Sequence, residues 1–284
     1  MALDKLDPRR IDCIVKQALV EDIGKGDITT QLTIPKDKHI KGTILSNEDC
    51  VICGLDVMET VFKTVDKNVI FSALIKEGHK IKKGKVIGKV EGRAQSILSA
   101  ERVGLNLLSL LSSVATKTRE YVEKIEPLKV KISDTRKTIP GLRELQKYAV
   151  RVGGGHNHRM GLDEMVLIKD NHIKVIEGYS KLPSVPKGFK IEIEVTNLDE
   201  FNHALKFKPD FIMLDNMNIP DMKKAVEILN ATLFNSHHPR TKLEASGGVD
   251  LDNIKEIAST GVDIISIGDL THSVQSVDIS LEVE

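Results

Sequence analysis

The sequence predicts an α/β protein in two parts: an antiparallel sheet region, then a parallel (β/α) barrel, closed or nearly so. Three observations carry this. Between Lys41 and Gly92, apolar and polar residues alternate around Gly-containing turns. From about Val130, short apolar runs recur, each ending in polar residues. Amphipathic helical stretches lie between most of these runs.

The chain begins "MALDKLDPRRIDCIV", with acids among its bases and without the apolar core of a signal peptide. "KGTILSNEDCVICG" and "VIFSALIKEGHKIKKGKVIGKVEG" then read as strands. The longer of these segments resembles the hairpin of a biotinyl or lipoyl carrier. Lys82 and Lys83 sit near its turn, but the Met-Lys-Met or Asp-Lys-Ala context of attachment is missing. A structural antiparallel sheet is the better reading. Cys50 and Cys53 form a lone C-x-x-C, read as two small buried residues in a strand. "VGLNLLSLLSSVAT" (103–116) reads as a buried or interface helix, and no apolar run is expected to span a membrane.

Six apolar runs follow: "VKISDTRK", "MVLIKDNH", "IEIEV", "FIMLDNM", "TKLEASGG" and "DIISIGD". "NLDEFNHALKF", "IPDMKKAVEILN" and "DLDNIKEIAST" supply intervening helices. Continuous apolar strands covered by helices make a parallel sheet. A doubly wound sheet competes, but "SDTRKT" is no glycine fingerprint.

Charge narrows the function. Lys+Arg 41 balances Asp+Glu 41, aromatic residues are 4%, and Trp is absent. General nucleic-acid or membrane-surface binding is not expected. Three cysteines suit a reducing cytoplasm. Against this balance, 133–160 gathers Arg136, Lys137, Arg143, Lys147, Arg151, His156, His158 and Arg159 around a Gly-Gly-Gly turn. Something anionic belongs there. Arg143, Lys147 and Arg151, four apart, are read instead as the solvated face of a helix.

In such barrels the working face lies at the carboxyl ends of the strands. Asp134, Arg136 and Lys137; Lys169 to His172; Glu192 and Glu194; Asp215 and Asn216; Glu244 and Ser246; and Asp269 all fall at or near such ends. "ASGGVD" and "SIGDLTHS" end the last two strands and predict a phosphate cradle of backbone N–H groups, with a helix after "SGG" adding its dipole. Carboxylates at Glu194 and Asp215 beside a phosphate suggest Mg²⁺, the alternative being pairing with nearby Lys and Arg. Pattern leaves Glu192 and Glu194 unresolved, since both point to one face.

"EDIGKGDITT", "ERVGLNLLSLLSSVAT", "DTRKTIPGLRELQKYAVRVGGGHNHRMGLDEMVLIKDNHI", "IEIEV", "IMLDNM" and "LEASGGV…GVDIISIGDLTHS" together resemble the quinolinate phosphoribosyltransferase family over nearly the whole chain. The resemblance implies an N-terminal α/β sandwich over 1–110, with 273–284 returning to it, and an incomplete (β/α) barrel over 111–272. It implies transfer of phosphoribose from 5-phosphoribosyl 1-pyrophosphate to quinolinate with loss of CO2, giving nicotinate mononucleotide for NAD synthesis, with Mg²⁺ and a cytoplasmic homodimer. Quinolinate would be held by Thr135, Arg136, Lys137, His158, Arg159 and Lys169, with Arg102 reaching in from the partner subunit. Lys137, Glu194 and Asp215 would be catalytic. Glu194 rather than Glu192 matches the family's acidic pair with Asp215, facing ribose and metal. Lys169, Ser246, Gly247, Gly248, Ile267, Gly268 and Asp269 would serve the phosphates. The chain departs at "LSSVAT", where the family often shows "CSG.AT", and leaves the role of His156 open. The rivals are phosphoribosyltransferases of the same architecture, acting on nicotinate or associated with molybdenum transport. A non-catalytic carrier module is a distant one.

Overall fold

The computed structural model describes residues 6–182, 185–186, 188–233 and 241–284. In chain order its elements begin with helices α1 (Pro8–Ile23) and α2 (Ile28–Thr33), strands β1 (His39–Ser46) and β2 (Cys50–Val51), and helix α3 (Leu55–Val65). Strands β3 (Ile70–Ala73), β4 (Lys80–Ile81) and β5 (Val86–Arg93) and helix α4 (Ala94–Lys124) follow. The series continues with β6 (Lys131–Ser133), α5 (Arg143–Val152), β7 (Val166–Ile168), α6 (Asp170–Val175), β8 (Ile191–Val195) and α7 (Leu198–Leu205). It ends with β9 (Phe211–Asp215), α8 (Ile219–Leu233), β10 (Lys242–Ser246), α9 (Ile254–Ala258), β11 (Ile264–Ser266), α10 (Asp269–His272) and β12 (Ile279–Val283).

Two compact units divide the chain. One comprises 1–119, 138–154 and 269–284; the other, 120–137 and 155–268. The first holds an antiparallel sheet in the order β12-β1-β5-β3. The carrier-like hairpin does not form as such: β3 pairs with β5, whereas β4 pairs with β2. Lys82 is held by Asp49 at 2.6 Å.

Helix α3 turns Val57, Met58, Val61 and Phe62 inward, and the Phe62 ring stacks on Phe71 with centroids 6.1 Å apart. Its N-terminus is capped from a distance. The Glu77 carboxylate accepts the N–H groups of Gly54 (2.9 Å) and Leu55 (2.7 Å), which a helix start leaves unpaired. Gly54 has φ 109°, and a Cβ there would run into Leu111. Cys50 and Cys53 are free and buried, and burial pushes both thiols up. The polar residues of "LSSVAT" have a packing role. Ser112 Oγ bonds both N–H and C=O of Cys53, and Thr116 Oγ1 accepts the Val51 N–H.

By length and composition α4 could cross a membrane, which corrects the expectation that no apolar run would reach spanning length. Of its most apolar window, 61% is buried within the chain. Helix α5 brings a second correction. Lys147 is fully buried and Arg143 and Arg151 are half-buried, so their four-residue spacing does not mark a solvated face. Arg151 instead lies over the Tyr148 ring, 5.7 Å from its centroid.

Asp66, after α3, is buried with one carboxylate accepting the Asn68 N–H, the Arg93 guanidinium and the Ser96 hydroxyl. The Asn68 bond first, then Arg93 and Ser96, hold it down to about 2. A carboxyl lowered by folding stabilises above its unfolded value and loses that contribution as pH falls through its folded value. Asp66→Asn is expected to cost about 2 kcal/mol at pH 7. In urea melts, the gap to wild type should close as pH drops from about 4 to about 2.

The second unit is built on a six-stranded parallel sheet in the order β6-β11-β10-β9-β8-β7. All six predicted strands are present. The first strand of the series pairs with the last, Ser133 opposite Ser266, as in a barrel. The first and second, β6 and β7, are not paired, so the barrel is incomplete. His156 makes a parallel bridge to Ser133 on the open side of β6.

Candidate active site

The end of β6 opens into Asp134-Thr135-Arg136-Lys137. Asp134 is fully buried and acts as an anchor. Its Oδ1 accepts the His158 N–H at 2.9 Å and its Oδ2 accepts Asn157 Nδ2–H at 2.5 Å. The main chain doubles the link, His156 N–H to Ile132 C=O (2.8 Å) and Asp134 N–H to His156 C=O (3.1 Å). This is what His156 does here: its backbone extends the sheet. The segment carrying His158 and Arg159 is thus tied to the strand that carries Arg136. Thr135 Oγ1 accepts the Lys137 N–H at 3.0 Å, tightening the same turn.

Arg136 and Arg159 come together. Burial, then the Arg136 cation, push the Arg159 guanidinium down from its ordinary value. Arg159 Nη1 donates to Met165 C=O at 2.9 Å, and the Nε atoms of both arginines are buried without a hydrogen-bond partner. Two adjacent guanidiniums with spare donors are a built receptor for anions.

Lys169, at the end of β7, forms an ion pair with Glu194. His172 explains why Lys169 is followed by Asp-Asn-His: its Nδ1 accepts the Lys169 N–H at 2.9 Å and caps α6. Asp215 ends β9, two positions beyond the residue that pairs with Glu194. Its Oδ2 accepts Asn216 Nδ2–H at 2.8 Å.

The glycine turn follows β10. Gly247 and Gly248 have φ 85° and 62°, left-handed conformations that favour glycine. Asn216, itself at φ 53°, donates its N–H to Ser246 C=O at 2.8 Å. A Cβ on Gly247 would collide with the Asn216 side chain. Asn253 Nδ2 donates to Gly248 C=O at 2.7 Å and closes the turn. Helix α9 begins only at Ile254, so the expected contribution of a helix dipole at "SGG" is not made. Ile267 N–H donates to Ser133 C=O at 2.9 Å, setting the second turn, Ile267-Gly268, beside β6.

The second unit gathers the predicted site residues from Thr135 to Gly268. Two others lie in the first. Arg102 is exposed on α4, 3.9 Å from Glu101. Asp269 opens α10 and pairs with Lys117 at 2.5 Å, which, against the effect of burial, holds its carboxyl low.

Sequence reasoning did not bring together His158, Glu192 and Glu244, which form a buried trio deeper in the barrel. His158 Nε2 lies 3.0 Å from Glu192 and 3.5 Å from Glu244. Burial above all pushes both carboxyls up, Glu244 also through Glu192. Glu192 and Glu194 do share one face of β8, but at different depths: Glu194 meets Lys169 and Glu192 meets His158. A 470 Å³ cavity is lined by this trio and Arg159, with Lys190 and Phe211 from the amino ends of β8 and β9.

Paired guanidiniums, a lysine–carboxylate pair and a glycine turn at the strand ends of an incomplete barrel define a class: barrel enzymes that hold carboxylate and phosphate substrates together. Residues 27–112 match the quinolinate phosphoribosyl transferase N-terminal domain and 114–282 its C-terminal domain. The chain belongs to the quinolinate phosphoribosyltransferase family. It is 41% identical over 276 residues to a probable nicotinate-nucleotide pyrophosphorylase [carboxylating] of Methanocaldococcus jannaschii, covering 95% of this chain and 96% of that one. A Mycobacterium leprae relative named nicotinate-nucleotide pyrophosphorylase [carboxylating] is 38% identical, covering 95% of each. The solved nicotinate-nucleotide pyrophosphorylase of Francisella tularensis superposes with a TM-score of 0.90 at 40% identity, covering 99% of each chain.

Proposed function

We propose that this chain carries out its family's reaction with the residues gathered at the barrel's strand ends. The enzyme is a decarboxylating pentosyltransferase of NAD biosynthesis. It joins quinolinate to the ribosyl carbon of 5-phosphoribosyl 1-pyrophosphate, releasing pyrophosphate and CO2 and leaving nicotinate mononucleotide. The observation that carries the site assignment is the Arg136–Arg159 pair with its unpartnered Nε donors.

Arg136, His158 and Arg159 bind the quinolinate carboxylates, aided by Thr135, Lys137 and Lys169, with Arg102 supplied by the partner subunit of a homodimer. Lys137, exposed beside them, lies between quinolinate and the phosphoribosyl donor. Ser246, Gly247, Gly248, Ile267, Gly268 and Asp269 hold the phosphates. Glu194 and Asp215 face the ribose and stabilise its developing positive charge as pyrophosphate leaves. They are hard oxygen donors on neighbouring strands and fit Mg²⁺, which when bound offsets the charge of the leaving group. Attack by the pyridine nitrogen leaves a cationic ring, an electron sink into which the adjacent carboxylate expels CO2. Three free cysteines suit a cytoplasmic setting.

The test is one assay with quinolinate, 5-phosphoribosyl 1-pyrophosphate and Mg²⁺. CO2 and nicotinate mononucleotide are followed together, with nicotinate in parallel. Product from quinolinate alone supports the reading; product from nicotinate, or from neither, overturns it. Gly247→Ala is expected to raise the KM for the phosphoribosyl donor by roughly tenfold, because a left-handed residue with a Cβ costs about 1–2 kcal/mol and displaces Asn216. The quinolinate KM should stay near wild type in the same initial-rate series.

A further inference from the structure

Strands β6 and β11 run side by side up to Ser133 and Ser266, and the Ile267 N–H still donates to Ser133 C=O at 2.9 Å. There the ladder ends. One chain continues through Arg136 and Lys137 to Thr138-Ile139-Pro140; the other continues through Gly268 into α10. The side chain of Gln146, on α5, reaches both continuations, and it is fully buried. Its Oε1 accepts the Ile139 N–H at 2.8 Å, and its Nε2 donates to Thr271 C=O at 2.7 Å. An N–H at one end and a C=O at the other fix which amide atom is which. Each continuation is also held by itself. Leu142 N–H donates to Ile139 C=O at 3.0 Å, Gln146 N–H to Leu142 C=O at 2.9 Å, and Arg143 Nε to Thr138 Oγ1 at 3.0 Å. On the other side, Lys117 Nζ donates to Ser273 C=O at 2.6 Å and pairs with Asp269 at 2.5 Å, gripping α10 at its two ends. The Gln146 amide joins one to the other.

We infer that Gln146 is a positioning residue for the phosphoribosyl donor: by tying the turn after Lys137 to the helix after Gly268, its amide keeps Lys137 in register with the phosphate turn. The inference rests on the reading of Lys137 and of the Ile267-Gly268 turn given above. The donor carries a phosphate at one end of its ribose and a pyrophosphate at the other, so its affinity depends on the spacing of the groups that meet the two. Both ends of the tie are main-chain groups. The link therefore depends on the side chain at 146 and not on the identities of residues 139 and 271. Quinolinate should not feel it to the same degree, because the segment carrying His158 and Arg159 is anchored separately, through Asp134.

Gln146→Met keeps the side chain's length and removes both bonds. The KM for the phosphoribosyl donor is expected to rise roughly tenfold, the scale of a lost hydrogen bond to a buried group. The quinolinate KM should stay near wild type. An unmoved donor KM, or equal rises in both KM values, overturns the proposal. Gly247→Ala is run beside it. If that variant raises the donor KM and Gln146→Met does not, the positioning role alone fails; if neither does, the assignment of the phosphate turns fails and the proposal with it. Amide hydrogen exchange of the wild-type chain, read at Ile139, gives a readout independent of variant folding. Linkage is reciprocal: if losing the tie weakens the donor roughly tenfold, saturating donor with Mg²⁺ must slow opening of the Ile139 N–H by the same factor. That slowing is expected with the donor and not with quinolinate alone. Exchange unchanged by the donor, or slowed equally by quinolinate, overturns the proposal.

Discussion

Arg159→Ala is expected to fold and to lose about a hundredfold or more of kcat/KM for quinolinate, the cost of removing one partner from a desolvated charge pair. The fold should survive because the segment is held without the side chain. Asp134 takes the His158 and Asn157 donors, and the backbone of His156 bridges β6. What disappears is one of two guanidiniums that already repel each other. Relieving that repulsion should leave the unfolding temperature unchanged or raised. Circular dichroism melts beside initial rates would check both halves. Near-normal turnover with a normal melt would remove Arg159 from the site. Arg159→Lys should recover little, because an ammonium cannot present the guanidinium's planar fork.

The parallel strands were legible because each is a short continuous apolar run closed by polar residues, a pattern that burial on both faces imposes. That Arg136, Lys169, Glu194 and Asp215 fall at or near strand ends was legible because polar residues close each apolar run. Other features were not. Lys147 sits at a helical spacing that reads as solvated, yet it is fully buried, since periodicity reports a face and not what covers it. The dipole expected at "SGG" failed because the distance to the next helix start is set by turn geometry, not composition. Glu192 and Glu244 lie beside a histidine some thirty and ninety residues away in sequence, a distance across which local pattern carries no information. Asp134 was noted as a strand-end acid, but its work as an anchor depends on where residues 156–158 return to β6.

The second large effect is expected at the Lys169–Glu194 pair. Glu194→Gln should lower kcat by about a hundredfold while moving the quinolinate KM little, since a group that stabilises charge only in the transition state is missed only there. Lys169→Ala should act differently. It removes a cation from the carboxylate site, so its loss should appear mainly in the quinolinate KM. The two residues are partners in the ligand-free chain, where Lys169, partly exposed, neutralises the buried Glu194 carboxylate. Each single change therefore strips the other of its counter-charge. That makes the effects non-additive: the double variant should be less impaired than the product of the two singles. Strict multiplication would mean that the ion pair is incidental and the residues act alone. A double-mutant cycle on kcat and on each KM separates the alternatives. Coupling confined to the quinolinate KM would place the exchange at binding, with Lys169 passing from Glu194 to a substrate carboxylate. Coupling in kcat would mean that Glu194 meets the ribosyl charge only after Lys169 has left it.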